Sequence, residues 1–293
     1  MFPAPFDYHR AGSVDEVLAL LAKYGGDARI LAGGQSLIPA MRFRLARPTV
    51  LVDINGIGDL SYVRETDGVL AVGALARDAE LERMERLASA YPLLADTSAV
   101  VADPVVRQSG TVVGSLCHND PAGDWAVTAL AGRASIVVRG ANGTRTVAID
   151  DFLVDSFATT VAEGEMAIEV RFPTPPARTW GSYQKIERKV GDFATASAAA
   201  RVTLAENGTI ASSGVAIGAA GPTAQRVKDA ELILNGAKPT KELVRAAADA
   251  ARKLADPAAD TRGSVEFKKD MAGVLVGRAL TTALERLGVE GLR

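Results

Sequence analysis

The stretch Arg29-Ile-Leu-Ala-Gly-Gly-Gln-Ser-Leu37 carries the reading of this chain. Arg29, Ile30, Leu31 and Ala32 read as a short apolar strand, and Gly33-Gly34 as a tight turn. Gln35, Ser36 and Leu37 lead into a brief helix, Leu37 to Phe43, that tolerates Pro39 in its first turn. Two successive glycines let neighbouring N–H groups point to one side and let a phosphate approach with no Cβ in the way. Ser36 adds a hydroxyl donor, and the helix N-terminus adds partial positive charge. The chain holds neither G-x-G-x-x-G nor G-x-x-x-x-G-K-[ST], so a Rossmann turn and a P-loop are not indicated. Taken alone, Gly33-Gly34 is just as readily a plain turn between strand and helix.

Upstream, Ser13 with Glu16 three residues later reads as a capping box opening a helix that carries Val14, Val17, Leu18 and Leu21 and ends at Gly25-Gly26. Downstream, Thr49 to Ile54 reads as a second buried strand. From about Gly58 the pattern changes. A hairpin is expected around Asp67-Gly68, helices over Arg77 to Ala90 and Pro92 to Ala102, and an irregular segment over Asp103 to Gly123. Then come a helix over Trp125 to Gly132 entered through Asp120-Pro121, a hairpin around Asn142-Gly143, and a strand over Met166 to Phe172. Pro173-Thr-Pro-Pro176 marks the boundary, since prolines end a strand and stiffen a linker. Beyond it, Trp180 to Val190, Thr195 to Ala205 and Thr209 to Gly218 read as three strands. Helices follow at Ala224 to Leu234, Lys241 to Leu254 and Ser264 to Leu287. The expected class is α+β, with one domain over 1–176 (subdomains about 1–57 and 58–176) and a second over 177–293.

Apolar residues make up 48% of the chain and charged residues 23%, which suits a large core. A net charge of −2 with 5% aromatics argues against a nucleic-acid partner, which would need a basic stripe or a stacking platform. One cysteine, Cys117, cannot supply an iron–sulfur cluster, and two histidines, His9 and His118, lack ligand spacing, so no metal site is expected. No signal peptide or membrane span is legible, which points to the cytoplasm. No Ser-His-Asp or Cys-His arrangement stands out, and no residue is assigned a catalytic role. Redox work, if any, would then rest on an organic cofactor or a partner chain.

Two further segments carry polar chemistry. Val106 to Trp125 is rich in small residues: Gly110, Gly114 and Ser115 could close on a diphosphate or ribityl chain, while Thr111, Asn119, Asp120 and Asp124 offer partners for hydroxyls. A long structureless loop of this kind is uncommon unless functional. Asp120 reads equally as a helix N-cap before Pro121, and Cys117 and His118 as ordinary packing. In Tyr183 to Phe193, Lys185, Arg188 and Lys189 are either a solvated strand face or, through Lys185 or Tyr183, a reach toward an anionic or aromatic cofactor.

Taken in order, Ala32-Gly-Gly-Gln-Ser36, Arg107-x-x-Gly-Thr-x-x-Gly-Ser115 running into Asp120-Pro-Ala-Gly-Asp124, and Lys185-Ile-Glu-Arg-Lys-x-Gly-Asp192 resemble the FAD-binding medium subunit of molybdenum hydroxylases. That family includes aerobic carbon monoxide dehydrogenase and xanthine dehydrogenase, and the resemblance runs from Phe6 to about Leu287. It implies a two-part FAD-binding fold of the vanillyl-alcohol-oxidase-like (PCMH) type, followed by a small domain of a three-stranded antiparallel sheet plus a helix bundle. It also implies that Ala32 to Ser36 and Thr111 to Ser115 hold the FAD pyrophosphate and ribityl chain, that Asp124 binds a sugar or ribityl hydroxyl, that Lys185 lies near the flavin ring, and that Asp192 makes a polar contact. The family motif usually reads Thr-Ile/Val-Gly-Gly-Asn/Ser. Val113 stands here in place of a glycine, and a left-handed backbone at that position would be costly.

The resemblance further implies a small partner with [2Fe–2S] clusters, a large partner with molybdenum–pterin, and a dimer of heterotrimers. A peripheral place at the inner face of the membrane, through the complex, is compatible with it. Electrons would pass from partner clusters through FAD to an external acceptor, with the carbon monoxide branch favoured over an aldehyde, xanthine or N-heterocycle dehydrogenase. A stand-alone FAD oxidoreductase and an assembly module that has lost FAD are the alternatives from other classes.

Overall fold

The structure, a computed structural model, describes residues 2–292. The chain opens with β1 (Asp7–Arg10), α1 (Val14–Tyr24), β2 (Ala28–Leu31), α2 (Leu37–Arg42) and β3 (Val50–Asp53). The strands form a parallel sheet in the order β1-β3-β2. Val50-Leu-Val-Asp53 is buried at every position because it is the central strand. The Asp7-Tyr-His-Arg10 strand, absent from the sequence reading, is polar because it is an edge. Half of the expected capping box forms: Ser13 Oγ, at the N-cap, accepts from Glu16 N at 3.2 Å, while Glu16 Oε2 accepts from Gly12 N, one residue before the N-cap, at 2.8 Å.

The next body holds β4 (Val63–Thr66), β5 (Val69–Gly73), α3 (Asp78–Glu82), α4 (Glu85–Ala90) and α5 (Pro92–Ser98), then α6 (Pro104–Arg107), α7 (Val112–His118) and α8 (Asp124–Gly132). It closes with β6 (Ser135–Gly140), β7 (Gly143–Ala148), α9 (Ile149–Phe152), β8 (Leu153–Asp155), β9 (Ala158–Thr159) and β10 (Met166–Pro173). Five strands form an antiparallel sheet in the order β4-β5-β10-β6-β7. Two expectations need correction here. The single helix over 77–90 is broken into α3 and α4 at Arg83-Met84. The irregular segment over 103–123 contains two short helices, because its polar residues are caps. Asp103 Oδ1 accepts from Val105 N and Val106 N with Pro104 in the first turn, and Thr111 Oγ1 accepts from Gly114 N.

The C-terminal part comprises β11 (Thr179–Ile186), β12 (Ala196–Leu204), β13 (Ile210–Gly218), β14 (Gln225–Arg226), α10 (Lys228–Leu234), α11 (Lys241–Leu254) and α12 (Val265–Arg286). Its antiparallel sheet has four strands in the order β11-β12-β13-β14, not three. Gln225-Arg226, read as the start of a helix, instead pairs with Ala216 and Ile217.

Residue parity explains how this sheet is used. Ala196, Ala198, Ala200 and Val202 face the core formed with α11 and α12. Tyr183, Ala199 and Ala216 join the other core, shared with α5 and α8 of the preceding body. Both faces are therefore covered, and small residues let the helices come close. A methyl at Gly181 would sit 2.7 Å from Leu93 Cβ on α5, and one at Gly214 would run into the Ala131 carbonyl of α8. Ion pairs fasten the same seam. Arg133 meets buried Glu231 at 2.7 Å, Arg226 reaches Asp150 at 3.0 Å, and Arg286 meets Asp96 at 2.8 Å.

The close approach at Gly214 is testable. Gly214→Ala must displace α8 from β13 and should cost about 1–3 kcal/mol, seen as a lower midpoint in calorimetry. Gly26→Ala, where a methyl meets nothing within 4 Å, should leave the midpoint unchanged.

Candidate functional site

The glycine loop lies between the parallel sheet and the second body. Gly34 adopts φ +72°, the left-handed conformation glycine allows. Among the described residues, no acceptor takes the N–H groups of Gly33, Gly34, Gln35, Ser36 and Leu37. Five successive amides without partners, on half-buried residues apart from the exposed Gln35, offer a run of donors suited to a phosphate anion. Because α2 has only six residues, the amides themselves, more than a helix dipole, carry this surface.

Gly33 is fixed by crowding. A Cβ there would be driven into the Ser109 carbonyl oxygen and would stand 3.0 Å from Gly110 Cα. The two glycine segments are thus in main-chain contact. Thr111 follows directly and caps α7, in which Gly114 and Ser115 occupy the first turn. Val113 lies in the same turn, is buried in the core, and has no left-handed backbone. The valine in place of the family's glycine therefore costs nothing in backbone strain, contrary to the expectation from an extended loop.

Asp78 joins the second segment to α8. Its N–H donates to the Gly110 carbonyl at 3.0 Å, its carboxylate packs against Gly110, and Oδ1 accepts from Trp125 Nε1 at 2.9 Å. Burial pushes the Asp78 carboxyl up to about 6, against the lowering effect of the indole hydrogen bond.

At the head of α8 stands a third cluster. Asp124 Oδ1 accepts from Tyr183 Oη at 2.6 Å, and Lys185 Nζ lies 3.3 Å from the same carboxylate. Lys185 also donates to the Val100 carbonyl at 2.8 Å and the Asp192 carbonyl at 3.2 Å, and meets Glu187 at 3.0 Å. Strand parity puts Tyr183 and Lys185 on the β11 face turned toward α5 and α8. Burial raises the Asp124 carboxyl, with Lys185 and Tyr183 opposing, while burial and then Asp124 hold the Tyr183 phenol well above its usual value.

The remaining sequence candidates are placed unevenly. Ile30 and Leu31 lie in β2, and Arg29 turns its guanidinium back onto the carbonyls of Gly26 and Ala28, both at 2.8 Å. Asn119 ends α7 in a left-handed conformation. Both functions of its side chain are engaged: Nδ2 donates to Asp155 O and Ala158 O, and Oδ1 accepts from Thr223. That leaves it a structural tie. Asp120 makes a tight turn onto Ala122 N and does not cap α8, whose N-cap is Gly123. Asp192 is held by Arg262 at 3.0 Å and Arg188 at 3.1 Å. Cys117 is pushed up to about 12 by burial, which keeps the thiol protonated.

Sequence reasoning missed Asn55, Arg77, Asp78 and Arg262. Asn55-Gly56 and Arg262-Gly263 read locally as turns, and nothing near them signals a long-range bond. Only the close spacing of Arg77-Asp78 after the buried Leu70 to Ala76 run hinted at a polar edge.

This donor surface, with a buried carboxylate and lysine beyond it, defines a class. The chain belongs to the family of FAD-binding domains in molybdopterin dehydrogenases, whose model matches residues 4–175, and residues 181–283 match the CO dehydrogenase flavoprotein C-terminal domain. It is 40% identical over 286 residues to the carbon monoxide dehydrogenase medium chain of Hydrogenophaga pseudoflava, covering 98% of this chain and 99% of that one. It is 37% identical over 286 residues to the 6-hydroxypseudooxynicotine dehydrogenase complex subunit alpha of Paenarthrobacter nicotinovorans, covering 98% and 97%. A solved carbon monoxide dehydrogenase from Hydrogenophaga pseudoflava, lacking the Mo-pyranopterin moiety, superposes with a TM-score of 0.95 at 41% identity over 98% of this chain and 99% of that one.

The Asp78 carboxyl predicts a pH effect. Its folded pKa is raised, from 3.8 to about 6, so between those values the folded chain holds a proton that the unfolded chain releases. Stability therefore falls as pH rises through that window, by up to ~3 kcal/mol. Asp78→Asn keeps an acceptor for Trp125. It should unfold at higher denaturant than the parent at pH 7.5 and match it near pH 4, as read by urea titration at the two pH values.

Proposed function

We propose that the chain is the medium, electron-transferring flavoprotein of an aerobic carbon monoxide dehydrogenase. The observation that carries the reading is the row of five unpartnered amides from Gly33 to Leu37, which fits the pyrophosphate of FAD. When bound, FAD accepts electrons from partner iron–sulfur clusters and releases them to an external acceptor. The chain's own work is to hold and orient that group, with no side chain acting as general acid or base.

In this reading Ala32 to Ser36, with Thr111, Gly114 and Ser115, hold the pyrophosphate and ribityl chain. Gly33 and Gly110 keep those segments in register. Asp124 takes a sugar or ribityl hydroxyl, and Lys185 lies beside the flavin ring with Tyr183 and Asp192 supporting it. The division falls at 176/177, with the first part split near residue 57. The partners are a small [2Fe–2S] subunit and a large molybdenum–pterin subunit, arranged as a dimer of heterotrimers in the cytoplasm. No helix among the described residues is long and apolar enough to cross a membrane, so any membrane association would come through the complex. Carbon monoxide is favoured by the 40% identity to a carbon monoxide dehydrogenase medium chain. The relative from a 6-hydroxypseudooxynicotine dehydrogenase complex keeps an N-heterocycle as the competing substrate.

Two measurements test this. In the natively purified complex, carbon monoxide should bleach the flavin absorption band. Bleaching by an N-heterocycle or a purine and not by carbon monoxide would overturn the substrate assignment. Gly33→Ala should purify with its fold intact by circular dichroism and with flavin content reduced at least about tenfold, the loss expected when a main-chain cradle is forced apart. Full flavin content in that variant would overturn the placement of the pyrophosphate.

A further inference from the structure

Arg77, at the N-cap of α3, stands between the two glycine segments. Its backbone bridges to Thr111. Its guanidinium donates through Nη1 to the Ser109 carbonyl at 2.7 Å and through Nη2 to Asn55 Oδ1 at 2.6 Å. Asn55 in turn donates through Nδ2 to the Ala32 carbonyl at 3.0 Å and to Asp53 Oδ1 at 2.6 Å, while its own N–H donates to the same oxygen at 2.8 Å. The other oxygen of Asp53 is bound by the Tyr8 hydroxyl. One continuous path therefore runs from β1 and β3 through Asn55 and Arg77 to the second body. It closes on the two carbonyls that flank the donor loop.

Ser109 is the junction. Its carbonyl receives Arg77 and is also the oxygen against which Gly33 packs. Whatever sets the position of that carbonyl sets the distance between the two segments. Arg77 does so with a planar fork that a single ammonium could not reproduce. Its two acceptors are a main-chain carbonyl and an amide oxygen, neither of them charged. The charge acts on the adjacent Asp78 carboxyl but forms no ion pair among the described residues, so it also reaches an anion lying on the loop amides, in a half-buried place where screening is incomplete.

We propose that Arg77, acting with Asn55, is a positioning residue for the FAD pyrophosphate: Asn55 holds the Ala32 carbonyl and Arg77 the Ser109 carbonyl, so that the bonded pair keeps both glycine segments facing one diphosphate, and Arg77 supplies positive charge there. The inference rests on the FAD reading above. FAD affinity, measured by fluorescence titration of the deflavinated full chain together with any partners that co-purify, tests it.

Arg77→Met should weaken FAD binding about 10- to 100-fold, and Arg77→Lys should recover part of that loss. Asn55→Ala should weaken binding too. The double variant should lose no more than the weaker-binding single variant, because both residues belong to one bridge. The salt dependence of FAD affinity should be shallower in Arg77→Met than in the parent, which a purely structural role would not produce. Should Arg77→Met fail to fold, as judged by its thermal melt, Asn55→Ala carries the test alone. Parent-like FAD affinity in Arg77→Met or in Asn55→Ala, or losses that multiply in the double variant, would overturn the clasp. Failure of the parent itself to bind FAD would instead remove the reading on which it rests.

Discussion

The main chain of Gly33 lies against the carbonyl of Ser109, and most of what this molecule can do follows from that contact. The first segment belongs to a parallel three-stranded sheet and the second to a body built on an antiparallel five-stranded sheet. Neither presents a complete binding surface by itself. Brought together with no side chain between them, they place the free amides of residues 33–37 beside the first turn of α7. A side chain at position 33 would separate the two, so the absence of a Cβ matters more here than the conformational freedom of glycine. At Gly34 the reverse holds, since its left-handed backbone is what turns the amides to one side.

A second constraint places the Asp124, Tyr183 and Lys185 cluster. The C-terminal sheet is buried on both faces, and strand periodicity divides its residues between two neighbours. Even-numbered alanines of β12 serve the helical core of the C-terminal part, while odd positions of β11 and β12 serve α5 and α8. Lys185 and Tyr183 fall on the second set, so they meet Asp124 at the start of α8. A buried lysine and carboxylate are costly to desolvate unless they are paired and hydrogen-bonded. Here the lysine has two carbonyl acceptors besides its carboxylates, and the aspartate has a phenol donor. That arrangement keeps charged groups in the seam between the two bodies.

The long periodic elements were legible from the residues alone. α11 begins and ends at Lys241 and Leu254 as expected, α12 lies within the expected span, and the hairpins around Asp67-Gly68 and Asn142-Gly143 follow their turn signals. The failures were of three physical kinds. Caps share the polarity of loop residues: Asp103-Pro104 and Thr111 start helices, and the nearby glycines mask that signal. Edge strands such as Asp7–Arg10 and Gln225–Arg226 lack an apolar pattern because one side faces solvent or a helix end, so only pairing defines them. Long-range polar bridges left no trace in the sequence. Nothing local says that Arg77 will reach Asn55, twenty-two positions away, or that Asn119 will spend its amide on Asp155 and Ala158. The glycine-rich motif was readable because its chemistry is local. The arginine that spans the two segments was not, because its meaning depends on the fold.

The central claim is that main-chain amides of the first glycine segment hold the diphosphate of FAD. Hydrogen–deuterium exchange of the full chain with and without FAD reads those amides directly, since groups without acceptors exchange readily until a ligand accepts from them. The account predicts marked slowing in peptides spanning residues 32–37 and 111–115, with the exposed strand β7 unaffected. Unchanged exchange over 32–37 in a sample shown to contain bound FAD would contradict it.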